Sequence, residues 1–153
     1  MSVRDLRVRN GDVELAGTLY LPTKALPHAT LLMVGGSGPT DRDNDVYFPP
    51  IRARLLDAGV AVASFDKRGV GGSTGDWHDG GPAELTADAL AELAHLRNEA
   101  GIDPRAIGAI QITDRFSLVE LPDDIADDVI GTLRATTIKG RKVPVRRDRE
   151  HGA

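Results

Sequence analysis

Four groups of residues in this 153-residue chain have types and spacings able to do chemistry. Gly71-Gly72-Ser73-Thr74-Gly75 matches GxSxG, the pattern that presents a nucleophilic serine when it occupies a sharp strand-to-helix turn. It stands instead in a glycine-dense loop, Asp66 to Gly75, so its glycines are expected to serve backbone geometry. His78 and His95, with Asp76 or Asp79, offer a conceivable base and its orienter. His78 falls in a polar loop and His95 on the polar side of a helix, and both read as surface histidines. Asp41, Asp43 and Asp45 flank Arg42, but no glycine and glutamate follow at calcium-loop spacing. Solvated loop charges, or Asp–Arg pairs that fix the loop, are the expectation, and neither a metal nor a cofactor is called for. The fourth group is basic: Lys139, Arg141, Lys142, Arg146, Arg147 and Arg149 face only Asp148 and Glu150 over about a dozen positions, a local basic patch that charge alone reads equally as a binding surface and as a solvated, partly frayed C-terminus.

The elements that must position these residues follow from hydrophobic periodicity. Val3 to Arg9 and Val13 to Leu21 alternate as two strands around Asn10-Gly11, a hairpin signal. Thr30 to Val34 and Val60 to Phe65 are compact apolar runs of the kind found in strands covered on both faces. Between them Ile51 to Ala58 has helical spacing and Gly59 ends it. Leu85, Ala89, Leu93, Leu96 and Ala100 define one face of a second helix, with Gly81 and Pro82 at its start and Gly101 at its end. Ile107 to Ile112 is a third apolar run. Strand, helix, strand, helix, strand in this rhythm predicts an α/β fold with a three-layer, largely parallel mixed sheet.

Composition narrows the function classes. An apolar share of 41% supports a genuine core, and the absence of cysteine excludes disulfides and thiolate metal sites. The formal charge of −4 is uneven: residues 1 to 100 carry 14 acids and 10 bases, and the remainder 9 of each, so the basic tail is a local feature. No stretch approaches eighteen consecutive apolar residues and the N-terminus has no leader-like pattern, so no membrane contact and a cytoplasmic location are expected.

GGSGPTDRDND after one buried run and FDKRGVGGSTGDW after the next resemble the N-terminal half of an α/β hydrolase, in the branch of peptidase-like and dienelactone-hydrolase-like esterases. The resemblance covers about residues 1–97. It implies a vestigial oxyanion loop at Gly36, Ser37 and Gly38, and structural roles for Asp66, Arg68 and Gly69. At the position where the family places its nucleophile this chain has Ile112-Thr113-Asp114-Arg115-Phe116-Ser117, without the flanking glycines, so no catalytic residue is assigned.

From about residue 98 to 150, RAIGAI, DRFSLVE and RKVPVRR resemble the DbpA-type RNA-binding domain of DEAD-box RNA helicases, a variant of the RNA-recognition-motif (RRM) fold. That resemblance implies an RRM-like β-hairpin, helix and edge strand. It also implies weak, salt-dependent binding of structured RNA through Arg115, Phe116, Lys139, Arg141, Lys142, Arg146, Arg147 and Arg149. Its first strand and helix would have to be borrowed from Val60 to Phe65 and Pro82 to Ala100. The two families then compete for the gap between Val60 to Phe65 and Ile107 to Ile112: a parallel Thr30 to Val34 strand in one, an antiparallel Phe116 to Leu121 strand in the other. The expected compromise keeps the hydrolase-like strands central and lays the Phe116 hairpin and the last strand along one edge; the sequence is compatible with one fused core and with two separate ones. The function expected is a catalytically crippled chimera that binds RNA. Two alternatives stand beside it: an esterase or peptidase-like hydrolase using residues such as Ser73 and His78, and a non-catalytic module that binds a protein partner through a sheet edge.

Overall fold

The computed structural model describes residues 1–23, 28–36, 38–108, 110–112, 117–119, 123–135, 137–138, 140–142 and 144–147. Its first two strands, β1 (Ser2–Asn10) and β2 (Val13–Leu21), form an antiparallel hairpin in which Asn10 pairs with Val13. Gly11 has φ +61° at the first central position, the sign a type II′ turn requires there. Then come β3 (His28–Met33), α1 (Phe48–Asp57), β4 (Ala61–Phe65), α2 (Pro82–Leu96) and β5 (Ile102–Gly108). The five strands make one sheet in the order β1-β2-β4-β3-β5, with β2 antiparallel to β4 and β3 parallel to both β4 and β5. The remaining elements are β6 (Ile110–Ile112), β7 (Ser117–Val119), α3 (Asp123–Arg134), β8 (Thr137–Ile138) and β9 (Arg141–Lys142).

Residue alternation along β3 and β4 dictates the layers. Leu31, Met33 and Val62 face a cluster closed by Phe48 and Leu55 of α1 and Val129 of α3, with Ile51 and Leu133 packed at its margin. Leu32, Ala61, Ala63 and Phe65 face the other way, toward Leu96 of α2 and Leu6, Leu15 and Leu19 of the hairpin. Successive strand side chains point to opposite faces, so these strands need cover on both sides. The result is three layers, with α2 on one face and α1 and α3 on the other.

The contest for the gap beside β4 is resolved for the hydrolase-like register, because β3 stands between β4 and β5. β3 brings buried Thr30, Leu31, Leu32 and Met33, whereas β7 is three residues long and pairs only with β6 among the described residues. Among the described residues β6 and β7 therefore form their own two-stranded sheet rather than lying along the edge of the main one, the placement expected of this hairpin; Phe116 itself lies outside the described residues. The expected last strand is shorter than its apolar alternation indicated: β9 pairs with β8 around Gly140 (φ +74°), and Pro144 to Arg147 follow without strand pairing. Proline has no N–H to donate to a ladder, which accounts for the stop.

β5 is an irregular edge. His28 pairs with Ile102 and Thr30 with Ile107, so β5 runs through five residues where β3 advances two. Within the bulge, Arg105 N donates to Asp103 Oδ1 at 3.0 Å and Arg105 Nε to the same atom at 3.1 Å. Pro104, the bulge and the exposed ion pair all discourage addition of a further strand.

Val129 is the test of whether the tail and the front of the chain are held in one core. Val129→Ala removes buried methyl groups at a site 2% exposed, and is expected to cost roughly 2 kcal/mol in the single urea transition of the whole chain. A second, separate transition that alone shifts would show that α3 stabilises only the tail.

Candidate functional site

The sheet has one mouth where chain direction reverses. From β3 the chain passes through α1 to β4 on one side, and then through α2 to β5 on the other. The crevice outside the carboxyl ends of β3 and β5 is where open α/β sheets receive ligands. The loop after β3 carries Gly36, which is exposed, and Gly38, which has φ +101°; Ser37 lies outside the described residues. Lys67, which the sequence reading passed over, secures this loop. Its Nζ donates to the carbonyl oxygens of Gly36 and of Gly38, the latter at 3.0 Å, and stands 5.2 Å from the centre of the Trp77 ring. Burial pushes the Lys67 amine below its ordinary pKa.

Behind the mouth, the DRD and DKRG loops are joined through one carboxylate. Asp66 is 3% exposed. Its Oδ1 accepts from Arg42 N at 2.8 Å and Arg42 Nε at 3.1 Å, and its Oδ2 from Arg42 Nη2 at 2.6 Å and Gly72 N at 2.9 Å. Arg42 Nη1 donates onward to Thr18 Oγ1 at 2.7 Å. Burial alone would raise the Asp66 carboxyl, but the donors from Arg42 and Gly72 outweigh it and hold the group below the usual carboxylate range. The expected Asp–Arg loop pairing is thus present, with a second pair between Asp43 and Arg52 at 2.8 Å. Among the described residues no cluster of three or more His, Asp or Glu side chains is arranged to hold a metal.

Ser73 belongs to this network. Its Oγ donates to Asp66 O at 2.6 Å and accepts from Ala16 N at 2.9 Å, so the hydroxyl ties β2 to the start of the loop. Gly69 shows why that loop needs its glycines: with φ +71°, a Cβ there would lie 2.3 Å from Trp77 N. Asp76 does not orient an imidazole; its Oδ1 accepts from the backbone N of His78 at 2.9 Å, and His78 is exposed. His95 Nε2 lies 3.0 Å from Glu99 Oε1 along α2.

A buried charged cluster joins α2 to the hairpin and the second loop. Arg68 Nε and Nη2 donate to the two oxygens of Asp88 at 2.8 and 2.7 Å, and Asn10 Nδ2 donates to Asp88 Oδ1 at 2.7 Å. One turn on, Glu92 is 7% exposed, and burial, reinforced by the neighbouring Asp88 charge, pushes its carboxyl to about 8. Helical periodicity placed neither acid in the core, because both sit in polar positions of the sequence pattern.

The tail supplies the basic surface. Arg141, Lys142, Arg146 and Arg147 are exposed, whereas Arg115, Phe116, Lys139 and Arg149 lie outside the described residues. Arg134 Nε donates to Val145 O at 2.8 Å, laying the last segment against α3. Arg147 then meets the acidic face of that helix: Nε donates to Asp127 Oδ1 at 3.1 Å and Nη1 to Asp123 Oδ1 at 3.0 Å. Asp127 first and Asp123 second raise the Arg147 pKa above its ordinary value. The i, i+4 spacing of the two acids was visible in the sequence; their partner was not.

Against known proteins, the family described as the DbpA RNA binding domain matches residues 93–147, a little over a third of the chain. That match begins five residues before the boundary expected from the change in sequence character and takes in the last turn of α2. No curated protein matches the chain. Among solved structures, an esterase from Pyrococcus furiosus is 24% identical with a TM-score of 0.58, over 69% of this chain and 38% of its own. The α/β hydrolase GrgF from Penicillium is 17% identical with a TM-score of 0.61, over 70% and 36%. A proline iminopeptidase from Mycobacterium smegmatis is 25% identical with a TM-score of 0.51, over 61% and 32%. The chain thus spans about a third to two-fifths of the length of these structures. It combines an α/β-hydrolase-like fold with a segment similar to the DbpA RNA binding domain. No helix among the described residues is long and apolar enough to cross a membrane.

Two outcomes follow from the buried polar groups. Ser73→Ala breaks two buried hydrogen bonds and should destabilise the chain by about 1–3 kcal/mol in urea unfolding, while the wild-type protein stays unlabelled by a fluorophosphonate probe. Glu92 binds a proton in the folded state between its ordinary 4.5 and about 8, where the unfolded chain has already lost it. Its contribution is therefore fully favourable below pH 4.5 and is lost as pH rises through about 8. Glu92→Gln should flatten that dependence, with a gain over wild type at pH 9 of at most about 5 kcal/mol, read from melting curves across the pH range.

Proposed function

We propose that this chain is a non-catalytic RNA-binding protein in which a hydrolase-like scaffold, about residues 1–97, presents a basic RNA-contacting segment, about residues 98–150. The carrying observation is that the DbpA-type match spans α2's last turn, β5, α3 and the exposed bases Arg141, Lys142, Arg146 and Arg147. These bases contact phosphates, so binding is weak, tolerant of sequence and sensitive to salt. Arg115 and Phe116, which lie outside the described residues, would add an aromatic ring able to stack on an unpaired base. The hydrolase alternative has less support, since Ser73 is engaged on both sides by main-chain groups and Asp76 serves the backbone of His78. Binding of a protein strand along β5 is disfavoured by Pro104 and the bulge around it.

The test is a titration of a labelled hairpin RNA across a potassium chloride series with wild type and Lys142→Ala, Arg146→Ala. The double variant should bind more weakly at low salt, and the slope of log K against log salt should become shallower by roughly 1.5, the share of two phosphate contacts. Unchanged affinity and slope in the double variant would remove the tail from the interface.

A further inference from the structure

We propose that RNA reaches Arg147 by exchange: a backbone phosphate takes the place of the Asp123 and Asp127 carboxylates on a guanidinium that α3 holds in the free protein. This inference rests on the RNA-binding reading above and adds a built-in competitor to it. Arg147 uses Nε and Nη1 toward the two acids, at 3.1 and 3.0 Å, so each of the two guanidinium edges able to fork onto a phosphate, Nε with Nη2 and Nη1 with Nη2, has one donor engaged. Neither edge can fork onto a phosphate until a carboxylate lets go. Among the described residues Arg141, Lys142 and Arg146 have no carboxylate partner, so Arg147 is the base that must give something up.

The geometry is that of a fixed competitor and a movable base. α3 is anchored through Val129 and Leu133, about a third of a turn around the helix from Asp123 and Asp127, so the two acids are presented by a seated element. Arg147 arrives on an irregular segment whose contact with α3 includes the bond from Arg134 to Val145 O. The side chains of Asp123 and Asp127 are 95% and 81% exposed, so water and salt already compete for the pair, and a polyanion can displace it. Arg147 therefore adds less to the salt slope than an unpaired base does. The RNA releases a counterion when its phosphate meets the guanidinium, but the vacated carboxylates take cations up.

The experiment uses the full chain and the same hairpin RNA. Asp123→Asn, Asp127→Asn keeps a side-chain acceptor at the helix start and removes the competitor. Asp124→Asn, Asp128→Asn removes the same charge from the same helix without touching Arg147, and Arg147→Ala removes the base. The first variant should bind several-fold tighter at low salt than the second, with its log–log salt slope steeper than wild type by about 0.8, one phosphate's share. In the Arg147→Ala background the two pairs of substitutions should have equal effects. Equal gains from the two pairs in the wild-type background, with parallel slopes, would overturn the exchange while leaving RNA binding in place. Binding by Asp123→Asn, Asp127→Asn where wild type binds nothing would support the exchange in its strongest form. If none of the proteins binds, the RNA-binding reading itself fails and the exchange falls with it.

Discussion

β3 and β4 are apolar on both faces, and much of the rest of the structure follows from the need to cover them. Thr30, Leu32, Ala61, Ala63 and Val62 are all at most 2% exposed, and they cannot be so in a sheet with one solvated side. α2 and the β1–β2 hairpin close one face. On the other, α1 contributes Phe48, Ile51 and Leu55, and α3 brings Val129 and Leu133 to the same cluster. Burying a side chain of that size is worth about 1.5–3 kcal/mol, enough to decide where a twelve-residue helix goes. This is how the segment similar to the DbpA domain comes to be seated on a hydrolase-like front.

Once α3 is seated, its other side is determined. The residues opposite Val129 are acids, and they lie outward where the last segment returns along the helix. The apolar face holds the tail to the scaffold, and the acidic face holds Arg147. Packing and charge pattern thus act through one element, and the exposure of the neighbouring bases is set by the same placement.

At the mouth of the sheet the loops after β3 and β4 are held to one another. Asp66 gathers Arg42, Gly72 and, through its backbone, Ser73 and Ala16, so the two glycine-rich loops brace one another. Lys67 fastens the carbonyls of the first loop. Two buried hydroxyls, Thr40 Oγ1 in the first loop and Ser64 Oγ in β4, have no partner among the described residues.

The sequence by itself determined the order of the elements, the hairpin, the covered strands and the structural use of Ser73, because these depend on periodicity and turn chemistry over a few residues. It also revealed both family likenesses, since RAIGAI and FDKRGVGGS are local strings. The gap beside β4 was legible as belonging to the hydrolase-like strands; what three dimensions alone decided is that β6 and β7 pair as a sheet of their own rather than along an edge of the main one. The burial of Asp88 and Glu92 was decided there too, because Arg68 and Asn10 reach Asp88 from distant parts of the chain. So was the pairing of Arg147, which looked like a free base in a basic run. Its partners lie 20 and 24 residues away, and only the packing of α3 brings them within hydrogen-bonding distance.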